Sequence, residues 1–166
     1  KFAKLMRSIL ENSTKNFITI EEEFKVLNIY LELEHKRNNG HFDYSMNIDP
    51  AIDKTKVLTP PLLLQPFIEN AIWHGLNKKT EHGHLQISVN RHEDMIVFTV
   101  DDDGVGRDYV SPKEHMQEKK SLGIEITKQR IEKLFVSTNL KGSIEIIDKK
   151  GPTGTLVVLK IPIKTN

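Results

Sequence analysis

The sequence predicts an α+β protein, a two-layer sandwich whose sheet carries helices on one face and meets solvent or a partner on the other. Three observations lead there. Apolar residues recur at helical spacing in four segments and at a spacing of two in five others. The strand candidates are mostly joined by short turns rather than by crossover helices. The composition, 166 residues with 37% hydrophobic and 28% charged, is that of one ordinary soluble domain with a sizeable core.

Residues 1–12 place Phe2, Leu5, Met6, Ile9 and Leu10 on one side of a short amphipathic helix. A second helix begins at a Thr19-x-x-Glu22 capping box, with Ile20, Phe24, Leu27 and Leu31 on one face. Acidic residues fill its first turn and Lys36 and Arg37 its last, in keeping with the helix dipole, and Asn38-Asn39-Gly40 ends it. From His41 the period changes to two: Phe42, Tyr44, Met46 and Ile48 alternate with polar residues up to Asp49-Pro50. After Pro60-Pro61, Leu62–Leu76 reads as a helix ended by Gly75 and Asn77. Pro66 inside it must kink the helix or confine its regular part to the residues that follow.

Two strands come next, His84–Asn90 with Leu85, Ile87 and Val89 inward, and Met95–Asp101 with Ile96, Phe98 and Val100 inward, joined at Arg91–Asp94. Residues Asp101–Lys120 hold few apolar side chains and form a loop of a length usual for lids and binding segments. Ile124–Phe135 is a further helix with Ile124, Ile131, Leu134 and Phe135 as its buried face. Strands near Ser143–Asp148 and Thr155–Ile163, linked by a Gly-Pro-Thr-Gly turn, close the chain. The purely helical first forty residues place a subdomain boundary near Gly40, dividing 1–40 from 41–166.

Charge and composition exclude several functions. With 24 basic and 23 acidic side chains the net charge is +1, so no bulk field holds a nucleic acid or an anionic membrane. The absence of cysteine rules out a disulfide framework, a thiolate zinc site and a cysteine nucleophile. No apolar run approaches the roughly 18 residues of a membrane span. The chain opens on Lys1 within a helical pattern, as a piece of something longer would.

Three segments set polar residues in apolar surroundings. In the Leu62–Leu76 helix, Glu69, Asn70 and His74 are polar, and Asn70 and His74 lie one turn apart. An Asn carbonyl suits Mg²⁺, which fills its shell with waters and substrate phosphates; an exposed helix stripe is the plainer alternative. A strand then runs into Asp101-Asp102-Asp103-Gly104-Val105-Gly106. Three adjacent carboxylates repel one another, so at least one needs a specific cation or donor, and the glycines permit close approach of a ligand. An ordinary acidic-glycine turn is the alternative. Ser121-Leu122-Gly123-Ile124 opens a helix, and its free N–H groups fit a phosphate or simply a Ser121 cap.

In this order the segments resemble the N, G1, G2 and G3 boxes of the GHKL ATP-binding superfamily, whose fold is the Bergerat sandwich with a mixed, mostly antiparallel sheet. Within it, PPLLLQPFIENAIWHGL, VDDDGVG, SLGIEITKQRI and GTLVVLKIPI are similar to the boxes in the catalytic domain of LytS/YehU-type sensor histidine kinases, and Thr19–Arg37 to their connecting helix. The resemblance implies ATP and Mg²⁺ as cofactors. Asn70 would hold the Mg²⁺ on the phosphates, with His74 near them. Asp102 would accept the adenine amino group over a floor shaped by Gly104 and Gly106. Leu122, Gly123 and Ile124 would offer backbone donors to phosphate, and Thr155 would back the adenine site.

The resemblance further implies a two-component protein kinase that passes the γ-phosphoryl of ATP to a histidine on a segment outside this chain. Residues 1–40 would then be a remnant of the dimerisation and phosphoacceptor region plus the connecting helix. The implied partners are the phosphoacceptor helix of the same or a partner protomer, a cognate response regulator, and a second copy in a full-length homodimer; nucleic acid is not among them. The domain is expected in the cytoplasm, its parent anchored in the cytoplasmic membrane.

Three departures from the family pattern bear on affinity. Asp103 stands where Asn is usual and adds negative charge, Ser121 where the first Gly is common, and Trp73 where Lys is frequent. The family's H-F-x-F-N stretch is absent, and His35, His41, His82, His84, His92 and His115 lie in other contexts. His82 and His84 with His92 could hold a metal across a hairpin, or be solvated surface side chains. A hydrolytic GHKL ATPase needs a Glu base one turn before the Asn. Pro66 occupies that position, and Glu69, a candidate catalytic base, adjoins Asn70 on a different face. Two alternatives remain: a degenerate nucleotide-binding or docking module without phosphotransfer, and a free-standing anti-sigma-type serine kinase of this superfamily, which the helical leader at residues 1–37 weakens.

Overall fold

The computed structural model describes residues 2–107, 122–136, 140–150 and 153–165. In chain order the elements are α1 (Phe2–Ser13), β1 (Ile18–Thr19), α2 (Ile20–Arg37), β2 (Phe42–Ile48), β3 (Leu58–Thr59), α3 (Gln65–Asn70), β4 (Gly83–His92), β5 (Met95–Asp102), α4 (Leu122–Leu134), β6 (Ser143–Asp148) and β7 (Thr155–Pro162). Five strands form one sheet in the order β2-β4-β5-β7-β6. The β2–β4 pair is parallel and the other three are antiparallel, so the sheet is mixed and mostly antiparallel as expected.

Alternation builds the core. Leu85, Ile87 and Val89 of β4, Ile96, Phe98 and Val100 of β5, and Val157, Leu159 and Ile161 of β7 are all buried. They share one cluster with Ile20, Phe24, Leu27 and Leu31 of α2, with Phe67, Ile68, Ile72 and Leu76, and with Ile131 and Phe135. The opposite face carries the polar partners of the alternation, among them Ser88 and Thr99, whose hydroxyls lie 2.6 Å apart. Helices therefore cover one face, and the two-layer α+β reading stands. In α1, Leu5 is buried while Met6 and Leu10, assigned by spacing to the same apolar side, remain exposed.

Two features escape the sequence pattern. The first is a short antiparallel ribbon in which Ile18 and Thr19 pair with Thr59 and Leu58. Two residues per strand show no period of two. The second lies in the predicted Leu62–Leu76 helix, which is three pieces. Regular α-helix runs only from Gln65 to Asn70, with Pro66 in its first turn. This is the confinement expected of a proline whose missing N–H is harmless only at a helix start. A π turn then spans Ala71–Gly75 and a 3₁₀ turn Leu76–Lys78. The hairpin between β4 and β5 is tighter than predicted, with His92 paired to Met95 and Glu93 at φ +54° in the turn.

Candidate nucleotide site

β5 ends the alternation of its inward residues on a carboxylate. Asp102 follows Val100 on the covered face and is 4% exposed. Its Oδ1 accepts from Gly104 N–H at 2.9 Å. Across the ladder it faces Thr155 at the start of β7, whose backbone N–H also donates to it. Burial pushes its carboxyl up to about 6, against the pull of the Gly104 N–H, the Lys149 ammonium and the Thr155 N–H.

Glycines make this placement possible. A Cβ on Gly104 would stand 2.5 Å from the backbone of Gly75, and one on Gly75 would stand 3.0 Å from Asp102 Oδ1. The end of the π turn and the glycine turn after β5 thus meet backbone to backbone, joined by Val105 N–H to Gly75 O at 3.4 Å. Gly106 has φ +79° and Gly154 φ +130°, and a side chain on Gly154 would collide with the carbonyl of Asp102.

The three adjacent carboxylates each have their own partners. Asp101 pairs with Lys149, whose ammonium also donates to the carbonyl of Asp102 at 2.8 Å. Asp103 accepts from His84 N–H at 2.7 Å and from Lys79 Nζ at 3.0 Å. Burial works to raise the Asp103 carboxyl, but these donors outweigh it and hold it below the ordinary carboxylate value. The extra negative charge expected from Asp103 is therefore balanced within the protein, and the side chain ties β5 to the start of β4.

Asn70 closes α3 and is half-buried; His74, one turn on, is exposed. Glu69 accepts from Gln65 Nε2 at 2.8 Å. Trp73 points toward α2: its indole N–H donates to Glu34 at 3.3 Å, and the Arg37 guanidinium lies 5.8 Å from the ring centroid. Leu122, Gly123 and Ile124 form the first turn of α4. The missing Cβ of Gly123 would stand 3.2 Å from Pro66, so this glycine lets α4 close on the first turn of α3. Ser121 and the greater part of the expected Asp101–Lys120 loop lie outside the described residues.

The histidine trio separates. The rings of His82 and His84 are 5.5 Å apart and His82 meets Asp43 at 3.0 Å, but His92 is at the far end of the ten-residue strand β4. Among the described residues no group of three acidic, His or Cys side chains could hold a metal ion. His35 packs edge-on to Phe42, and His41 Nε2 is 2.9 Å from the carbonyl of Lys79. His115 lies outside the described residues.

The family model for histidine kinase-, DNA gyrase B- and HSP90-like ATPases matches residues 59–165, more than half of the chain. The chain belongs to this family. A sensor histidine kinase/phosphatase LytS from Staphylococcus aureus is 33% identical over 102 residues, 60% of this chain and 17% of its own length. Among solved structures, the histidine kinase domain of the Erythrobacter litoralis EL346 blue-light activated kinase is similar with a TM-score of 0.59 and 19% identity, covering 90% of this chain and 69% of that one. The histidine kinase ThkA in complex with the response regulator TrrA is similar with a TM-score of 0.59 and 18% identity, covering 98% and 47%. At these identities the structures establish the fold. The chain spans under one fifth of the length of the LytS relative. As in sensor kinases of this histidine-kinase-type ATPase family, the sheet and helices form the GHKL sandwich, and the boxes named from sequence fall on α3, the end of β5, the start of α4 and the start of β7. No helix among the described residues is long and apolar enough to cross a membrane.

Some residues of the site are silent in the sequence pattern. Lys149 and Lys79 sit in turns with no motif, and only the fold brings them to the Asp triplet. Glu23 is fully buried. It had a signal, since it lies three residues from Ile20 and four from Leu27, on the apolar stripe of α2.

Proposed function

We propose that this chain is the ATP-binding catalytic domain of a two-component sensor histidine kinase, binding Mg-ATP and passing its γ-phosphoryl to a histidine on another segment. The observation that carries the reading is Asp102, a buried carboxylate at the end of a central strand, set in a seam that only glycines allow. Such a group reads a planar ligand with an amine at its edge, as adenine has. Gly104 and Gly106 would form the floor beneath adenine and ribose, with Thr155 behind. The N–H groups of Leu122, Gly123 and Ile124 would meet phosphate oxygens at the helix start.

The donor set fits a magnesium ion shared with phosphates. Asn70 offers a neutral oxygen suited to a hard cation, and Asp101 and Asp103 are already paired with lysines rather than gathered into a metal cage. When bound, Mg²⁺ supplies charge neutralisation to the polyphosphate. His74 would lie beside the phosphates. In the transfer, the bond from the γ-phosphorus to the bridging oxygen of ADP breaks. A bond from the histidine ring nitrogen to phosphorus forms, and the ring gives up one proton. Glu69, adjoining Asn70, is the candidate to take it. Hydrolysis as the main activity is disfavoured because Pro66, one turn before Asn70, cannot serve as a base and is packed against Gly123.

The partners that follow are a phosphoacceptor helix from the same or a second protomer, a response regulator and, in the full-length protein, a second copy; the parent would sit in the cytoplasmic membrane with this domain in the cytoplasm. Mixing the chain with Mg-ATP and a separate domain carrying the family's histidine helix is expected to yield acid-labile phosphohistidine. Asp102→Asn should abolish the transfer; transfer persisting at the unmutated rate in that variant would sink the reading.

A further inference from the structure

The turn that delivers α3 is held in an unusual backbone conformation from two sides. Leu62 has φ +57°, a left-handed setting that costs a branched side chain energy and persists only where the surroundings enforce it. The enforcement comes from Glu23 in the first turns of α2. Its two carboxylate oxygens accept from Leu62 N–H at 2.8 Å and Leu63 N–H at 2.9 Å, and the Leu64 N–H contributes as well. From the other side Arg130 of α4 donates to the carbonyl of Pro61 at 2.6 Å, within electrostatic reach of Glu23. α2 grips the same segment again at its far end, where Glu34 receives the Trp73 indole N–H. One helix thus holds both ends of the stretch that carries Asn70.

We propose that Glu23 is a positioning residue for the nucleotide site. Its carboxylate fixes the Pro60–Leu64 turn in the one conformation from which α3 presents Asn70, and Arg130 fixes the same turn from the helix whose first residues face the phosphates. The inference rests on the nucleotide reading of Asn70. It adds that α2, the element entering from the N-terminal side, sets the geometry of the magnesium ligand. A movement of α2 along its axis would pull on Leu62 and Trp73 together.

The test uses the chain as it stands, with Glu23→Gln, Glu23→Ala, Arg130→Gln and Leu62→Gly, alone and in combination. Folding is checked by circular dichroism, Mg-ATP affinity by calorimetry, and the Asn70 side-chain amide and Leu62 backbone amide by nitrogen–proton NMR without nucleotide. Loss of the buried hydrogen bonds that hold a strained turn is expected to weaken Mg-ATP binding roughly tenfold in the folded Glu23 variants and to move the Asn70 amide resonances. Leu62→Gly, which adopts the left-handed setting without strain, is expected to restore affinity in the Glu23→Ala background. Folded Glu23 variants with unchanged affinity and unchanged Asn70 resonances would overturn the proposal, as would weakened affinity that Leu62→Gly leaves unrepaired. Should Glu23→Ala not fold, Glu23→Gln and Arg130→Gln carry the same comparison. Should the unmutated chain bind no nucleotide, the functional reading fails, while the Asn70 resonances still decide whether Glu23 positions that side chain.

Discussion

Three neighbouring carboxylates at the end of β5 are kept from repelling one another by three different sets of partners. Asp101 has Lys149, Asp103 has Lys79 and the His84 N–H, and Asp102 has backbone N–H groups and burial. Burial pushes Asp102 up, to about 6, and this gives the site a pH signature. A carboxyl raised above its unfolded value is ionised first in the unfolded chain. Asp102 therefore adds stability below the ordinary carboxylate value near 4, and that contribution is lost as pH rises to about 6. Accepting an amine edge requires the ionised form, so the ligand favours the opposite state. Nucleotide binding near pH 6 is expected to release a proton and to weaken as pH falls from about 7 to 5. Calorimetry in two buffers of different ionisation enthalpy reads this directly, and buffer-independent heats at pH 6 would contradict it.

At the scale of elements, α2 is the most completely specified helix. Thr19 caps it with both halves of a capping box, the Glu22 N–H donating to Thr19 Oγ1 at 3.1 Å and the Thr19 N–H to Glu22 at 2.8 Å. Acidic residues in its first turn and basic ones in its last suit the dipole. Thr19→Ala is expected to cost about 1 kcal/mol in denaturant unfolding, with Thr19→Ser recovering most of it. The helix from Leu62 to Leu76 is the contrasting case. Its apolar spacing announces a helix, yet the regular part stops at Asn70 and a π turn carries the chain to Gly75, where it meets Gly104, a tertiary contact that no local pattern encodes. The ribbon of β1 and β3 is similar, being too short to carry a period; Glu23 bonds the turn just beyond β3 at Leu62 and Leu63.

For the whole molecule, the sheet and its covering helices were legible because burial repeats at a fixed spacing: Leu85, Ile87, Val89 and Ile96, Phe98, Val100 are inward as their alternation predicts. The candidate site was legible where glycines and carboxylates mark it, at Asp102, Gly104 and Gly106. Its supports were not, because Lys149, Lys79, Arg130 and the turn at Leu62 acquire meaning only when distant segments meet. Trp73, which stands where the family often carries Lys, bonds Glu34 and so links the site helix to α2, a role its position in the motif does not announce. With a net charge of +1, the proposed nucleotide site would rely on local donors rather than a bulk field for its anionic ligand. The most direct test of the central claim is a titration of this chain with Mg-ATP, Mg-GTP and ATP in EDTA, with Asp102→Asn alongside. Saturable binding that prefers ATP, weakens without magnesium and disappears in Asp102→Asn is the result expected; equal binding of ATP and GTP, or binding indifferent to Asp102→Asn, would contradict it.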